Sequence, residues 1–339
     1  MASDFLPLLP DSPLRLVGIA RLAADGDSLR QGHDVEYFTL PSRSLLNRCT
    51  GVRMPFDWTI NPYRGCEFAC KYCYARYTHE FMEMRNGKDF EQKIYVKQHA
   101  ADLLRQELRQ VKAGEEIAIG TATDPYQPAE KKYEVTRGIL EELARHEGLA
   151  LGIVTKSNLV LRDLDLLRQI SRRNKLSVTL TITTLNVELA RILEPRAPRP
   201  DLRMKAVHDL TLDGIRAGVS CSPVLPGITD APRDLEAVVR ATAEAGGRYI
   251  FANPLFLKPC SAAVFLPFLE EKFPQLARSY RLRFQDRAFL PEAYRKRISQ
   301  LMRGLRDKYR IHDRQEKRQP QSYQAFAEQS QMDLFQRPA

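Results

Sequence analysis

From residue 56 onward, short apolar runs alternate with segments whose apolar residues recur at helical spacing. The apolar runs predict six strands, at residues 57–61, 116–120, 149–155, 176–183, 219–222 and 249–251. Helices are predicted between them, at residues 100–111, 133–146, 161–171, 201–217 and 234–245. Strands and helices that alternate in this way form parallel sheets with right-handed crossovers. Six units are too few for a closed eight-fold barrel, so the pattern predicts an open, partial α/β barrel.

The two ends of the chain have a different pattern. Residues 1–55 are polar, contain many Pro and Gly residues, and predict an irregular cap or leader with one strand at 34–40. Residues 291–311 place apolar side chains on one helical face and Arg or Lys on the others. We divide the chain into four segments: a cap (1–55), a barrel (56–255), a basic helical extension (256–311) and a flexible tail (312–339).

Composition narrows the class of protein. The 339 residues and 43% hydrophobic content suffice for one large domain with a sizeable core. No apolar run is long enough to predict a transmembrane helix, and the proline-interrupted N-terminus does not resemble a signal peptide. A net charge of +10 attracts polyanions such as nucleic acids, although an ordinary basic soluble protein would show the same charge.

Three of the six cysteines, Cys66, Cys70 and Cys73, lie within eight residues in the spacing C-x3-C-x2-C. Thiolates this close together indicate a metal centre, because an odd number cannot pair in disulfides and such short loops strain a disulfide bridge. Three thiolates can hold a [4Fe–4S] cluster with one iron left open. A Cys3His zinc site that includes His79 is the alternative.

The motif, with Tyr72 directly before the last cysteine, resembles the cluster motif of the radical S-adenosylmethionine (SAM) superfamily. The longer string NPYRGC…YCYAR is similar to the branch that includes spore photoproduct lyase-like proteins. The resemblance implies a (β/α)6 partial TIM-type barrel, a [4Fe–4S] cluster and SAM bound to the open iron. It also implies an electron donor such as flavodoxin or ferredoxin. Free thiols and an oxygen-sensitive cluster both suit a reducing cytosol, so we predict a cytoplasmic protein.

Polar residues follow the predicted strands, where α/β barrels gather their chemistry. The segments GTATDPYQ, TKS and SPVLPG are similar to loops of the same branch. By that resemblance, the residues that bind the cofactor are Tyr72, Thr121, Thr123, Asp124, Lys156, Ser157 and Thr183. Hydroxyls, one carboxylate and one Lys match the polar groups of SAM. Each of these residue types is also common in ordinary strand-to-helix turns.

Two further features of the barrel remain open. The lyase of this branch carries a hydrogen-donor cysteine after its second strand, where this chain has the Cys-free sequence GTATD. Cys221, on the fifth strand, is a candidate donor or a buried structural thiol. Glu194 and Arg196, in a Pro-rich loop, are a candidate contact for substrate or cofactor, or a surface ion pair.

The tail ends in QMDLF, which resembles the Q-x-(S/D)-L-F peptide by which bacterial DNA polymerases and repair proteins bind the sliding clamp. Leu334 and Phe335 would fill apolar pockets while Gln331 supplies polar register. Together with the positive charge, this motif favours DNA as a partner. The main hypothesis is a radical SAM enzyme acting on damaged or modified DNA. The alternatives are a radical SAM enzyme for RNA, protein or a metabolite, and a non-catalytic metal-binding module associated with DNA.

Overall fold

The computed structural model describes residues 16–32, 34–50, 55–84 and 86–312. Within these ranges the strands are β1 (Ser28–Gly32), β2 (Val35–Leu40), β3 (Leu46–Arg48), β4 (Trp58–Ile60), β5 (Tyr63–Arg64), β6 (Lys93–Lys97), β7 (Glu116–Ile119), β8 (Ala150–Thr155), β9 (Lys175–Thr181), β10 (Ala217–Val224) and β11 (Ile250–Pro254). β4 and β7 to β11 pair in parallel and in chain order, with β3 antiparallel beside β4.

Helices follow most of these strands. They are α1 (Gly18–Ala24), α2 (Tyr77–Glu80), α3 (Asp89–Gln92), α4 (Ala100–Glu107), α5 (Glu130–Tyr133), α6 (Val135–Leu143), α7 (Leu164–Arg173), α8 (Val187–Leu193), α9 (Pro200–Leu212), α10 (Pro232–Glu244), α11 (Pro259–Lys272), α12 (Pro274–Phe284) and α13 (Glu292–Tyr309). Helices α9 to α12 begin with Pro, whose missing N–H would have no partner in a first helical turn. No helix in the described part of the chain is both long enough and apolar enough to cross a membrane.

The large sheet is an open barrel. Its two edges, β3 and β11, do not pair with each other in the described residues. All six predicted barrel strands overlap an observed strand, which confirms the partial (β/α)6 architecture. The strands are buried on both faces, as expected of a parallel sheet covered by helices: Ile60, Ile119, Ile153, Leu180 and Val219 are fully buried.

Helix ends were predicted less well than strands. The helix expected at 201–217 ends at Leu212, because the chain turns at Gly214 with a φ of +76° that favours glycine. The helix expected at 133–146 begins only at Val135, after Glu134 takes up a left-handed conformation. In both cases the apolar periodicity of the sequence extends past the residue at which the backbone leaves the helical conformation.

A second, four-stranded sheet has the order β1-β2-β6-β5. Strand β2 confirms the strand predicted at 34–40, but β1 and β3 were not predicted. The segment before the barrel is therefore more regular than expected. Its register depends on pairing with β6, since Tyr37 lies opposite Ile94 across a long sequence separation that local pattern does not reveal.

The basic helix predicted at 291–311 is α13. It docks on α10 and β11 through Ile298, Met302 and Leu305, which are buried. Its opposite side carries exposed basic residues, so α13 is both a packing element and a basic surface. The carboxyl ends of the parallel strands all point toward one edge of the barrel, and the cysteine-containing segment begins there.

Candidate cofactor site

The cysteine loop, residues 65–76, follows β5 at the carboxyl edge of the barrel. It begins at Gly65, whose φ is +83°. A Cβ at this position would lie 2.8 Å from the carbonyl oxygen of Lys93 and 2.9 Å from that of Phe90, so only glycine fits. The next residue, Cys66, donates its backbone N–H to the Phe90 carbonyl at 2.9 Å. The start of the loop is therefore held against α3 and the first residue of β6.

The far half of the loop is held by side chains. Arg76 is 3% exposed, donates to the Cys70 carbonyl at 3.1 Å and forms an ion pair with Glu91 at 2.8 Å. Ser261, in the first turn of α11, donates its hydroxyl to the Cys73 carbonyl at 2.8 Å. The backbone carbonyls of two of the three cysteines are thus restrained by side chains, which helps to orient the thiols before any metal binds.

Burial dominates the acidity of the three thiols. It raises the pKa of Cys70 to about 12 and raises the pKa values of Cys66 and Cys73 as well. Cys70 and Cys73 also raise the pKa of Cys66, and Cys73 raises that of Cys70, while the ammonium of Lys156 partly lowers the pKa values of Cys70 and Cys73. Without a metal the thiols are therefore neutral, and metal binding must release their protons.

The structure favours a cluster over the zinc alternative. The proposed fourth zinc ligand, His79, is buried between Phe90 and Tyr95, and its Nε2 lies 3.1 Å from the Lys93 carbonyl. Within the described residues, no three His, Cys, Asp or Glu side chains converge in the way a single metal ion requires. A cubane binds each thiolate through a different iron and needs no such convergence. The donor set of three thiols fits the cluster.

A buried polar network lies behind the loop. Tyr72 bonds through its hydroxyl to Thr183 at 3.1 Å and donates to Glu194. Thr183 also donates to Glu194 at 3.0 Å. The other oxygen of Glu194 pairs with Arg203 at 2.6 Å, and the two residues are 2% and 1% exposed. Glu194 is thus not part of a surface ion pair with Arg196, and that alternative was wrong. A contact with substrate or cofactor stays a prediction.

Arg203 was not predicted from sequence. It projects from α9, and its Nη1 donates to the carbonyl of Thr181 at the end of β9, at 3.0 Å. Its positive charge holds the pKa of Glu194 below the usual range despite burial. The pair therefore remains ionised inside the protein and joins α9, β9 and the cysteine loop.

Lys156 lies between the loop and this network. Its Nζ is 5.8 Å from the centre of the Tyr72 ring. Burial alone would lower its pKa, but the neighbouring acidic groups of Cys70, Glu194 and Asp124 leave it raised. A cation is therefore present beside the thiols, where it can compensate the negative charge of bound thiolates.

Asp124 joins the ends of two barrel strands. One carboxylate oxygen accepts the Thr155 hydroxyl at 2.6 Å and the Tyr126 N–H at 2.9 Å, and the other accepts the Lys156 N–H at 2.7 Å. Ser157 donates its N–H to Thr155 at 2.9 Å. Asp124 and Ser157 lie at the predicted edge, and their described contacts are with the protein.

Thr121 and Thr123 contact the segment that carries the cysteines. The hydroxyl of Thr123 donates to the Gly65 carbonyl at 2.6 Å, and Gln127 donates to the same oxygen at 3.2 Å. Thr121 accepts the Asn61 amide at 3.2 Å. The loop after β7 therefore braces the cysteine loop. Gln127 is fully buried, but it was not predicted as a site residue. The residues around it are common in turns, so the sequence does not indicate which group it contacts.

A buried acid within the motif was also missed. Glu67 donates its N–H to Gln127 at 3.0 Å, and its carboxylate accepts the Ala129 N–H at 2.7 Å and the Tyr37 hydroxyl at 2.8 Å. It thereby connects the cysteine loop to the small sheet and to the loop after β7. Its position between two of the cysteines is the only signal that the sequence offers.

Cys221 lies on β10, next to the polar network. It is 1% exposed, and its Sγ is 3.8 Å from the Thr183 carbonyl. Burial raises the pKa of this thiol to about 12. The structure places it among core residues of the barrel, and its role as a hydrogen donor stays a prediction.

Comparisons with known proteins agree with this arrangement. A family model described as the Radical SAM superfamily matches residues 60–240. An uncharacterized protein of Mycobacterium tuberculosis is 35% identical over 271 residues, which cover 79% of each chain. An uncharacterized protein of Methanocaldococcus jannaschii is 32% identical over 64% of this chain and 77% of its own length.

A solved structure shares the fold. A spore photoproduct lyase mutant with bound AdoMet and dinucleoside spore photoproduct matches with a TM-score of 0.62. The match covers 80% of this chain and 79% of the lyase chain, at 15% sequence identity. At that level of identity, the likeness is one of fold.

Proposed function

Since the chain belongs to the radical SAM superfamily, we propose that it is a DNA repair enzyme that removes a hydrogen atom from a damaged or modified base. Its cofactors are a [4Fe–4S] cluster and SAM. When bound, they supply a one-electron cleavage of SAM to methionine and a 5′-deoxyadenosyl radical. The protein's contribution is to hold both groups, exclude water and present the substrate.

Named residues divide this work. Cys66, Cys70 and Cys73 would hold the cluster, on a loop whose backbone is restrained by hydrogen bonds from Arg76 and Ser261. Lys156 supplies positive charge beside the thiolates and a donor for the carboxylate of SAM. Tyr72 and Thr183 offer hydroxyls at the same edge of the barrel, kept in place by the buried Glu194–Arg203 pair. Thr121, Thr123, Asp124 and Ser157 shape the loops around the cofactor.

An aromatic ledge beside the cysteine loop supports a nucleic-acid substrate. Tyr77 follows the loop directly, and Lys258 Nζ lies 3.9 Å from the centre of its ring. Phe256 and Phe289 stack next to Lys258, with ring centres 4.4 Å apart. These rings are half-buried, so each keeps an accessible part. Accessible aromatic rings beside a cation, here Lys258, are the kind of platform on which unpaired bases stack. This observation carries the choice of DNA, together with the net charge of +10.

We expect the protein to bind single-stranded DNA with a marked salt dependence. Affinity should fall about tenfold or more between 50 and 200 mM salt, because bound phosphates displace counterions. Replacing Phe256 with Ala should weaken binding by about tenfold, since stacking contributes about 1–3 kcal/mol per base. Fluorescence anisotropy under oxygen-free conditions measures both effects.

The control for this experiment is Leu212→Ala. The Leu212 side chain is 73% exposed and lies on α9, away from the ledge. It should leave affinity unchanged. Binding that ignores salt, or no binding at all, would contradict a DNA substrate and favour RNA, protein or a metabolite. The release of 5′-deoxyadenosine should rise when ultraviolet-irradiated oligonucleotide is added; no rise would reject that damage class.

We also propose that the tail attaches the enzyme to the DNA sliding clamp. Gln331, Leu334 and Phe335 lie outside the described residues. A tethered anchor raises the local concentration of enzyme at DNA without setting its orientation. The full-length Leu334→Ala/Phe335→Ala variant should lose clamp binding in surface plasmon resonance, by about a hundredfold or more. Met332→Ala, between the anchor positions, is the matched control. Equal clamp binding by the wild type and both variants would rule out the sliding clamp as a partner of this motif.

A further inference from the structure

The backbone is held on both sides of Cys66. The Gly65 carbonyl accepts the Thr123 hydroxyl at 2.6 Å and the Gln127 amide at 3.2 Å. On the other side of the cysteine, the Glu67 N–H donates to the oxygen of the same Gln127 amide at 3.0 Å. One fully buried side chain, that of Gln127, therefore binds the two peptide groups that flank the first cysteine of the loop.

The side chain of Glu67 provides a second anchor at the same point. It is 5% exposed, and its two carboxylate oxygens accept from different parts of the fold. One accepts the N–H of Ala129, directly before α5, at 2.7 Å, and the other accepts the hydroxyl of Tyr37, on β2, at 2.8 Å. These donors lie 62 and 30 residues away in the chain, so Glu67 joins three separate segments at the residue that follows Cys66.

The other two cysteines have supports of a different origin. Their carbonyls accept from Arg76, within the loop itself, and from Ser261, at the start of α11. The contacts of Gln127 and Glu67 are therefore specific to the Cys66 end of the loop. Since a cubane bound by three thiolates needs all three at a fixed spacing, loss of these contacts should weaken the hold on the cluster at this one ligand.

We propose that Glu67 is a positioning residue for the cluster, and that the small sheet helps to hold the cluster through the hydroxyl of Tyr37. Glu67 acts through Cys66, whose backbone it fixes. Groups that orient metal ligands typically contribute about tenfold to a hundredfold in metal affinity. The proposal rests on the cluster of the proposed function and does not depend on the choice of DNA as substrate.

The rate at which a ferrous chelator removes iron from the reconstituted, oxygen-free, full-length protein measures this role. Glu67→Ala should lose iron about tenfold to a hundredfold faster than wild type. Glu67→Gln should stay close to wild type, because its amide can accept from Ala129 and donate to the oxygen of Tyr37. Tyr37→Phe leaves one carboxylate oxygen without this donor, and should speed the loss by about three- to tenfold.

The double variant Tyr37→Phe/Glu67→Ala shows whether the tyrosine acts through the acid. Once the carboxylate is gone, removing the hydroxyl should have no further effect, so the double variant should lose iron at the rate of Glu67→Ala. The matched control is Tyr95→Phe, on β6 of the same sheet, where the hydroxyl contacts the sulfur of Met84 at 3.8 Å. This control should lose iron at the wild-type rate.

Two further measurements separate positioning from general stability. Circular dichroism of the metal-free proteins should show that the Tyr37→Phe fold is intact at the temperature of the iron measurement, because its ring still packs against Tyr133. Electron paramagnetic resonance, recorded before iron is lost, should show altered g values for Glu67→Ala and Tyr37→Phe, and wild-type values for Tyr95→Phe.

The outcomes distinguish this proposal from the cluster assignment itself. A wild type that holds a cluster, together with a folded Glu67→Ala that loses iron at the wild-type rate, would overturn the positioning role. Independent, additive effects of the two substitutions would overturn the part of Tyr37. If Glu67→Ala does not fold, wild-type iron loss and g values in Tyr37→Phe would overturn the proposal. A wild type that assembles no cluster would instead refute the proposed function, and this role with it.

Discussion

Replacing Cys70 with Ala should reduce both the iron content of the protein and its release of 5′-deoxyadenosine to background. Each of the three thiolates would bind a different iron of the cubane, so two thiolates would leave two irons without a protein ligand. The change removes a sulfur while the backbone contact of Arg76 with the Cys70 carbonyl can persist, so the loop should keep its conformation. Iron and acid-labile sulfide analysis, with chromatography of the dithionite-treated reaction, measures both losses.

Cys49→Ala is the matched control for that experiment. Cys49 bonds through its N–H to the Asp57 carbonyl, at the beginning of β4 and thus at the opposite end of that strand from the cysteine loop. The Cys49→Ala protein should keep the iron content and the activity of the wild type. Full iron and activity in the Cys70→Ala protein would refute the assignment of the cluster to this loop.

The second large effect concerns the buried ion pair. Arg203→Met should lower the free energy of unfolding by about 3–5 kcal/mol, because Glu194 is then left buried without its cation. The double variant Glu194→Gln/Arg203→Met should recover a large part of this loss, since both charges are gone. Urea denaturation of the single and double variants measures the coupling between the two residues.

The same pair predicts a dependence of stability on pH. The pKa of Glu194 is lowered in the folded protein, so the pair stabilises the fold above the unfolded pKa of about 4.3. That contribution is lost as the pH falls toward the lower folded value. The difference in stability between wild type and Glu194→Gln should therefore shrink below about pH 4. A difference that is constant across pH, or Arg203→Met as stable as wild type, would contradict an ionised buried pair.

The barrel could be predicted because its signals are local. Strands such as β8 and β9 are short runs of apolar and β-branched residues bounded by turn residues, and they are buried whichever strand lies beside them. The second sheet could not be predicted in this way. β5 is a two-residue strand, and it forms only because β6 lies beside it.

The residues of the site also fall into those that local sequence predicts and those that it does not. Cys66, Cys70 and Cys73 are evident from their spacing, and the strand ends brought Lys156 and Thr183 to the same edge as Tyr72, as expected. The partners that hold them were not evident. Arg203 reaches Glu194 from a helix that folds back on the barrel, and nothing in its own sequence context distinguishes it from the surface arginines. Contacts such as the Glu194–Arg203 pair depend on the packing of segments that are distant in the chain. The cluster motif, in contrast, can be read from the spacing of its cysteines.

The central claim is that the cysteine loop holds a [4Fe–4S] cluster with one iron free to bind SAM. Electron paramagnetic resonance of the oxygen-free, dithionite-reduced protein, recorded with and without SAM, tests it most directly. We predict the signal of a reduced [4Fe–4S] cluster, and a change in its g values when SAM is added, because SAM binds the open iron. A protein that carries zinc and shows no cluster signal, or a cluster signal that SAM leaves unchanged, would contradict the account.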